Sequence, residues 1–140
     1  MEDLVERLAR GNVTEVKVVL TSVVLALAAY QLVLIAVGYG KLRPRFLGAA
    51  PAAKAHRASG DAIVVLIAVT ALMCLSYFGL EDGAFHAVTG AALIAVLALK
   101  VVVIRWWRAA GRFLPALGLT AFVLLAATWL STAGSFLAET

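Results

Sequence analysis

Four long apolar runs constrain this chain more than any other feature. They lie at residues 16–37, 58–80, 84–104 and 113–137. A helix crossing the hydrocarbon core of a bilayer needs about 20 predominantly apolar residues, and each run reaches that length. The chain has 140 residues, of which 64% are hydrophobic and 14% charged, so little remains outside the runs. A soluble domain of this size has no interior large enough for that much apolar surface. The sequence therefore predicts an all-α integral membrane protein. It is an antiparallel, up-down four-helix bundle preceded by a short interfacial segment at residues 1–15.

Most of the charges lie outside the runs, and Lys17, Asp61 and Lys100 lie within them near their ends. The first connection carries Lys41, Arg43, Arg45, Lys54 and Arg57, and the third, counting Lys100 at its edge, carries Arg105, Arg108 and Arg112 beside Trp106 and Trp107. The second holds only the acidic turn Glu81-Asp82-Gly83. Cytoplasmic loops are enriched in Lys and Arg. The expectation is an inner-membrane, multi-pass protein with the first and third connections inside and both termini outside. The same effect accounts for the net charge of +4, so nucleic acid is not an expected partner; the lipid bilayer is.

Local signals place the helix ends. Leu4, Val5 and Leu8 form a narrow apolar stripe, and Gly11 would stop such a helix. Asn12 with Glu15 resembles a capping box opening the first span. Ala26-Leu27-Ala28 resembles a signal-cleavage site, but the acidic leader and the continuing apolar run favour an uncleaved anchor. Tyr30 and Gln31, polar groups in mid-span, should face the bundle. Pro44 and Pro51 should break helix, whereas Pro115 suits the first turn of the fourth span. Cys74, the single cysteine, reads as a packing residue.

One motif occurs twice. His56-Arg57-Ala58-Ser59-Gly60 opens the second span, and His86-Ala87-Val88-Thr89-Gly90 opens the third. Both are H-x-x-(Ser/Thr)-G, and they contain both histidines of the chain. Residues four apart share a helix face. Gly60 and Gly90 therefore leave room beside each imidazole for a flat group or a second helix. Because consecutive spans are antiparallel, the histidines fall at opposite membrane faces, a span of about 30 Å apart. They cannot ligate one haem within one chain. Met73 on the second span is the candidate partner of His86, and Lys100 on the third is the ionisable group nearest His56. Alternatives stand beside each reading. His56 can be an interfacial polar group, and His86 can pair with Glu81 or Asp82. Met73 can be core filler, the glycines helix-packing sites, and Lys100 a snorkelling cation. Asp61 can pair with Arg57 at i+4.

These residues resemble a known family. His56-Arg57-x-Ser59-Gly60, His86-x-x-x-Gly90, Lys100-Val101-x-x-x-Arg105 and Trp129-Leu130-Ser131-Thr132 occur in the order and spacing of an uncharacterised bacterial four-helix membrane family, a domain of unknown function. The resemblance covers nearly all of the chain from Val16 on. The layout is also distantly similar to haem-b membrane cytochromes of the ferric-reductase and cytochrome-b type. That similarity implies haem b as cofactor. The implied ligands are His86 with Met73, and His56, with Arg57 and Arg105 suited to haem propionates. The family pattern places a third histidine late in the second span, where this sequence has Met73.

The functional expectation is a redox carrier passing electrons between quinone and a partner protein. The alternative is a non-catalytic accessory or scaffold subunit, as a homo-oligomer or within a larger complex. A stand-alone enzyme is disfavoured, because the sequence has no nucleophile–base set, metal-spaced cluster or phosphate loop. A small transporter lined by Asp61 and Lys100 is the weakest reading.

Overall fold

The computed structural model describes residues 12–45, 47–77 and 84–138. Among them it contains four long helices, α1 (Val13–Gly38), α2 (Ala49–Tyr77), α3 (Ala84–Arg105) and α4 (Leu114–Ala138), with a 3-10 turn, Arg108–Phe113, leading into α4. All four runs are long and apolar enough to cross a membrane. The stretch 1–11 and the acidic turn at 81–83 lie outside the described residues.

α1 opens as its sequence suggests. Asn12 is the N-cap; its Oδ1 accepts from the Glu15 backbone N–H at 3.4 Å, and its amide also meets the Glu15 carboxylate. The helix closes at Gly40, which adopts φ +70° while the Tyr39 N–H bonds the Ile35 carbonyl at 2.9 Å. Gly tolerates that left-handed turn without the clash a Cβ would bring.

The start of α2 departs from expectation. It begins at Ala49 rather than at 58, running straight through Pro51. Pro51 is the third residue of the helix, where a backbone N–H has no intrahelical acceptor to lose, so the ring costs little. The neighbouring Ala49, Ala50, Ala52, Ala53 and Ala55 are strong helix formers. Tertiary packing fixes the extension: Ala52 is fully buried against Leu34 and Val37, with Leu47 and Ala55 alongside. The connection thus shrinks to residues 39–48, and His56 lies two turns inside the helix rather than at its mouth. Pro115, by contrast, sits in the first turn of α4 as expected.

The core is a column in which each helix contributes: Val24 from α1, Ile63 from α2, Leu93 from α3, and Ala121 and Leu125 from α4. The close seams are α1–α2, α3–α4 and α1–α4; the α2–α3 seam is looser. Outward faces are apolar, with Val65, Leu72, Leu75, Val88 and Leu130 all exposed. A contiguous apolar exterior of this extent is unfavourable in water and suits a hydrocarbon environment. Gln31 faces inward as expected, but Tyr30 is exposed. Successive helical residues point about 100° apart, so one face cannot take both.

Candidate functional site

The two copies of the motif share a local structure. The Ser59 hydroxyl donates to the Ala55 carbonyl at 2.7 Å, and the Thr89 hydroxyl donates to the Phe85 carbonyl at 2.9 Å. In both, a hydroxyl satisfied by the carbonyl four residues back sits beside the histidine's own turn. Each copy is then met by polar side chains from its outer neighbour: α1 serves the copy on α2, and α4 serves the copy on α3.

At the α3 copy the partners reach the imidazole itself. His86 Nδ1 lies 3.0 Å from Ser131 Oγ and 3.2 Å from Thr132 Oγ1. Both hydroxyls donate onward to the Thr128 carbonyl, at 2.7 and 3.2 Å. Hydroxyls that donate to Thr128 can accept from Nδ1–H, the tautomer that leaves the ring lone pair on Nε2. Two residues earlier, Trp129 Nε1 donates to Ser22 Oγ on α1 at 2.9 Å, locking α4 to the start of α1. Lys17, only 4% exposed, is buried on α1 near the same end. A Cβ built on Gly90 meets nothing within 4 Å, so this face of α3 has open space.

At the α2 copy the partner reaches the backbone and the hydroxyl, not the ring. Gln31 Nε2 donates to the His56 carbonyl at 2.9 Å and to Ser59 Oγ at 3.0 Å. Its amide also takes the clearance at Gly60, where an added Cβ would lie 3.2 Å from Gln31 Nε2. The His56 ring is left with a buried Nδ1 that has no hydrogen-bond partner. Lys100, half-buried on α3, lies within coulombic reach of it.

The sequence-predicted residues thus fall into two groups. His86 and Gly90 stand at one end of the bundle. His56, Gly60, Lys100, Arg57 and Arg105 stand at the other, with Arg57 and Arg105 exposed. From His56 to the last turn of α2, beside the start of α3, is about 30 Å of helix. Arg57 and Arg105 therefore serve no group held by His86. Met73 is half-buried toward the His86 end of α2, yet the described partners of His86 come from α4. Asp61 and Arg57 are both exposed, and no ion pair joins them.

Sequence reasoning gave no role to Ser22, Ser131 and Thr132. The clue was present in the Trp-Leu-Ser-Thr run, which places two adjacent hydroxyls in a largely apolar span. Among the described residues no group of three or more His, Cys, Asp or Glu side chains is placed to hold a metal ion. Against a haem group the two ends differ. The His86 end offers an imidazole held through Nδ1 and open space one turn away at Gly90, a donor set that fits. At the His56 end Gln31 takes the clearance the flat ring would need, and that end does not fit.

Four apolar crossings, a polar cluster at each end and an apolar exterior define a multi-pass α-helical membrane protein in contact with the lipid bilayer. The chain belongs to a family of unknown function, DUF6529, whose model matches residues 5–140. No curated protein and no solved structure matches it.

Proposed function

We propose that this protein is a membrane electron carrier that holds one haem b at the His86 end. The observation that carries the reading is the His86 imidazole. Its Nδ1 is bonded to Ser131 and Thr132, at 3.0 and 3.2 Å, next to the open face of Gly90. Histidine ligands to metals ordinarily donate the other ring N–H to a fixed acceptor, which sets the tautomer and orientation. His86 would supply a ligating nitrogen, while Ser131 and Thr132 would hold the imidazole in place. Met73 would approach from α2 across the loose α2–α3 seam, as a thioether ligand that raises the potential relative to a second histidine. Bound haem supplies one-electron redox chemistry; the surrounding residues orient it and exclude water. The electron partners in this reading are a quinone and a second protein. The basic end faces the cytoplasm of a bacterial inner membrane, with both termini outside.

The test is an oxidised and dithionite-reduced visible spectrum of the full chain, purified after expression with a haem precursor. The proposal expects a Soret band and sharp reduced α and β bands. A featureless spectrum would overturn it and shift the assignment to a non-catalytic accessory subunit.

A further inference from the structure

The outward face of α2 carries a feature that neither motif copy uses. Arg57, Asp61, Val65, Ala68, Leu72 and Leu75 are all exposed. At about 100° per residue they fall within an arc of roughly 80°. Ile63 and Thr70, on the opposite side of the helix, are buried. The arc is therefore the face that α2 turns away from the bundle. Val65, Leu72 and Leu75, each 61% exposed, suit hydrocarbon there. Asp61 does not. The stretch from Ala58 to Tyr77, where α2 ends, is about 30 Å of helix, the thickness of a hydrocarbon core. Asp61 lies inside the first turn of that stretch. Ionisable residues within a span are expensive and almost always face the bundle interior or pair with one another. Asp61 faces out.

Among the described residues Asp61 has no ion-pair partner. Arg57 stands one turn before it on the same face, yet the two do not pair. A cation N-terminal to an acid is the weaker order for an i, i+4 pair. Helical side chains lean toward the N-terminus of their helix, so the Asp61 carboxylate is tilted toward the level of Arg57. Copies of one membrane protein insert with one orientation, so two of them pair about an axis along the membrane normal. Such an interface is isologous and must be complementary to itself. A face that holds a carboxylate and a guanidinium one turn apart meets that requirement with two equivalent ion pairs. Further along the same face, Ala68 lets two backbones approach closely.

We infer that the outward face of α2 is the interface of a homodimer, in which the Asp61 carboxylate of each copy pairs with the partner's Arg57 at the edge of the hydrocarbon. The pairing takes an outward-facing carboxylate away from lipid, and Val65, Ala68, Leu72 and Leu75 pack along the rest of the seam. The interface uses neither His86 nor haem.

The experiment is disulfide crosslinking of the full-length protein in its native membranes. The reporter is Ala68→Cys, two turns beyond Asp61 on the same face, with Cys74→Ser removing the native thiol. Ile94→Cys, on an exposed face of α3, is the control. Oxidation should give a band of twice the chain mass with Ala68→Cys and none with Ile94→Cys. Asp61→Arg and Arg57→Asp, each alone, should reduce that band roughly tenfold, equivalent to about 1.4 kcal/mol. Two differently tagged chains, one with Asp61→Arg and the other with Arg57→Asp, should recover it as a mixed dimer, because every pair across the seam is again opposite in charge. Thermal unfolding in detergent checks that each variant is folded. If a charge reversal does not fold, Asp61→Asn and Arg57→Gln replace the two reversals, and each must weaken the band. Equal crosslinking at Ile94→Cys would mean random collision, and undisturbed bands in the charge variants would mean an apolar contact without the ion pair. Mixed chains that fail to recover the band would place the pairing within one helix. A crosslinked band containing a different protein would assign the face to another membrane partner. Each of these results overturns the proposal.

Discussion

The motif copies on α2 and α3 have the same sequence pattern and the same back-bonded hydroxyl, yet opposite outcomes. On α3 the neighbouring helix holds the imidazole and leaves the glycine face open. On α2 the neighbouring helix covers the glycine and leaves the imidazole nitrogen unsatisfied. What separates them is the partner side chain. Gln31 is long and has two amide protons, so it spans from α1 to the His56 carbonyl and Ser59 and lies over Gly60. Ser131 and Thr132 are short, donate back to the Thr128 carbonyl of their own helix, and meet the His86 ring across the seam. A repeated motif therefore does not make a repeated site.

The comparison breaks most directly at the histidines. His86→Ala should remove the Soret band entirely, whereas His56→Ala should leave it at wild-type intensity; equal losses would erase the asymmetry. Next in size are bulky changes at the glycines. Gly60→Leu overpacks against Gln31 and should cost about 1–3 kcal/mol, read as a lower midpoint of thermal unfolding in detergent. Gly90→Leu should unfold near the wild-type midpoint while haem occupancy falls, because its side chain fills the space beside His86.

The start of α2 shows how far a reader of the sequence could go. Four apolar runs gave the helix number and the antiparallel order, and the Asn12–Glu15 pair gave the cap of the first helix. Pro51 misplaced the second helix, because a proline signals a break unless its distance from the helix start is known, and burial of Ala52 under Leu34 and Val37 sets that start. The histidines and glycines were legible as a motif. Their partners were not, since Gln31, Ser131 and Thr132 lie 25, 45 and 46 residues away in sequence, and only the packing of α1 on α2 and α4 on α3 brings them together. Met73 was legible as a candidate too. Its position late in the second span makes it a candidate neighbour of His86 across the looser α2–α3 seam, while the described partners of His86 come from α4.

Smaller effects sharpen the comparison. Gln31→Leu removes two interhelical hydrogen bonds and should cost roughly 1 kcal/mol, about twice the single bond lost in Trp129→Phe; unfolding midpoints in one detergent measure both. Ser131→Ala with Thr132→Val should change stability little but shift the reduced α band and the midpoint potential, as expected when a ligating imidazole loses its anchor. Smallest is alanine at the two glycines. Gly90→Ala has open space and should gain up to about 1 kcal/mol of helix propensity. Gly60→Ala should gain less, since its Cβ would stand 3.2 Å from the Gln31 amide.

Haem stoichiometry addresses the central claim most directly. A pyridine haemochromogen assay on the purified full chain, set against quantitative amino-acid analysis, counts haems per polypeptide. Two unlike ends predict one haem per chain. Two per chain would mean that both motif copies bind the same group and would contradict the asymmetry; none would contradict haem binding altogether.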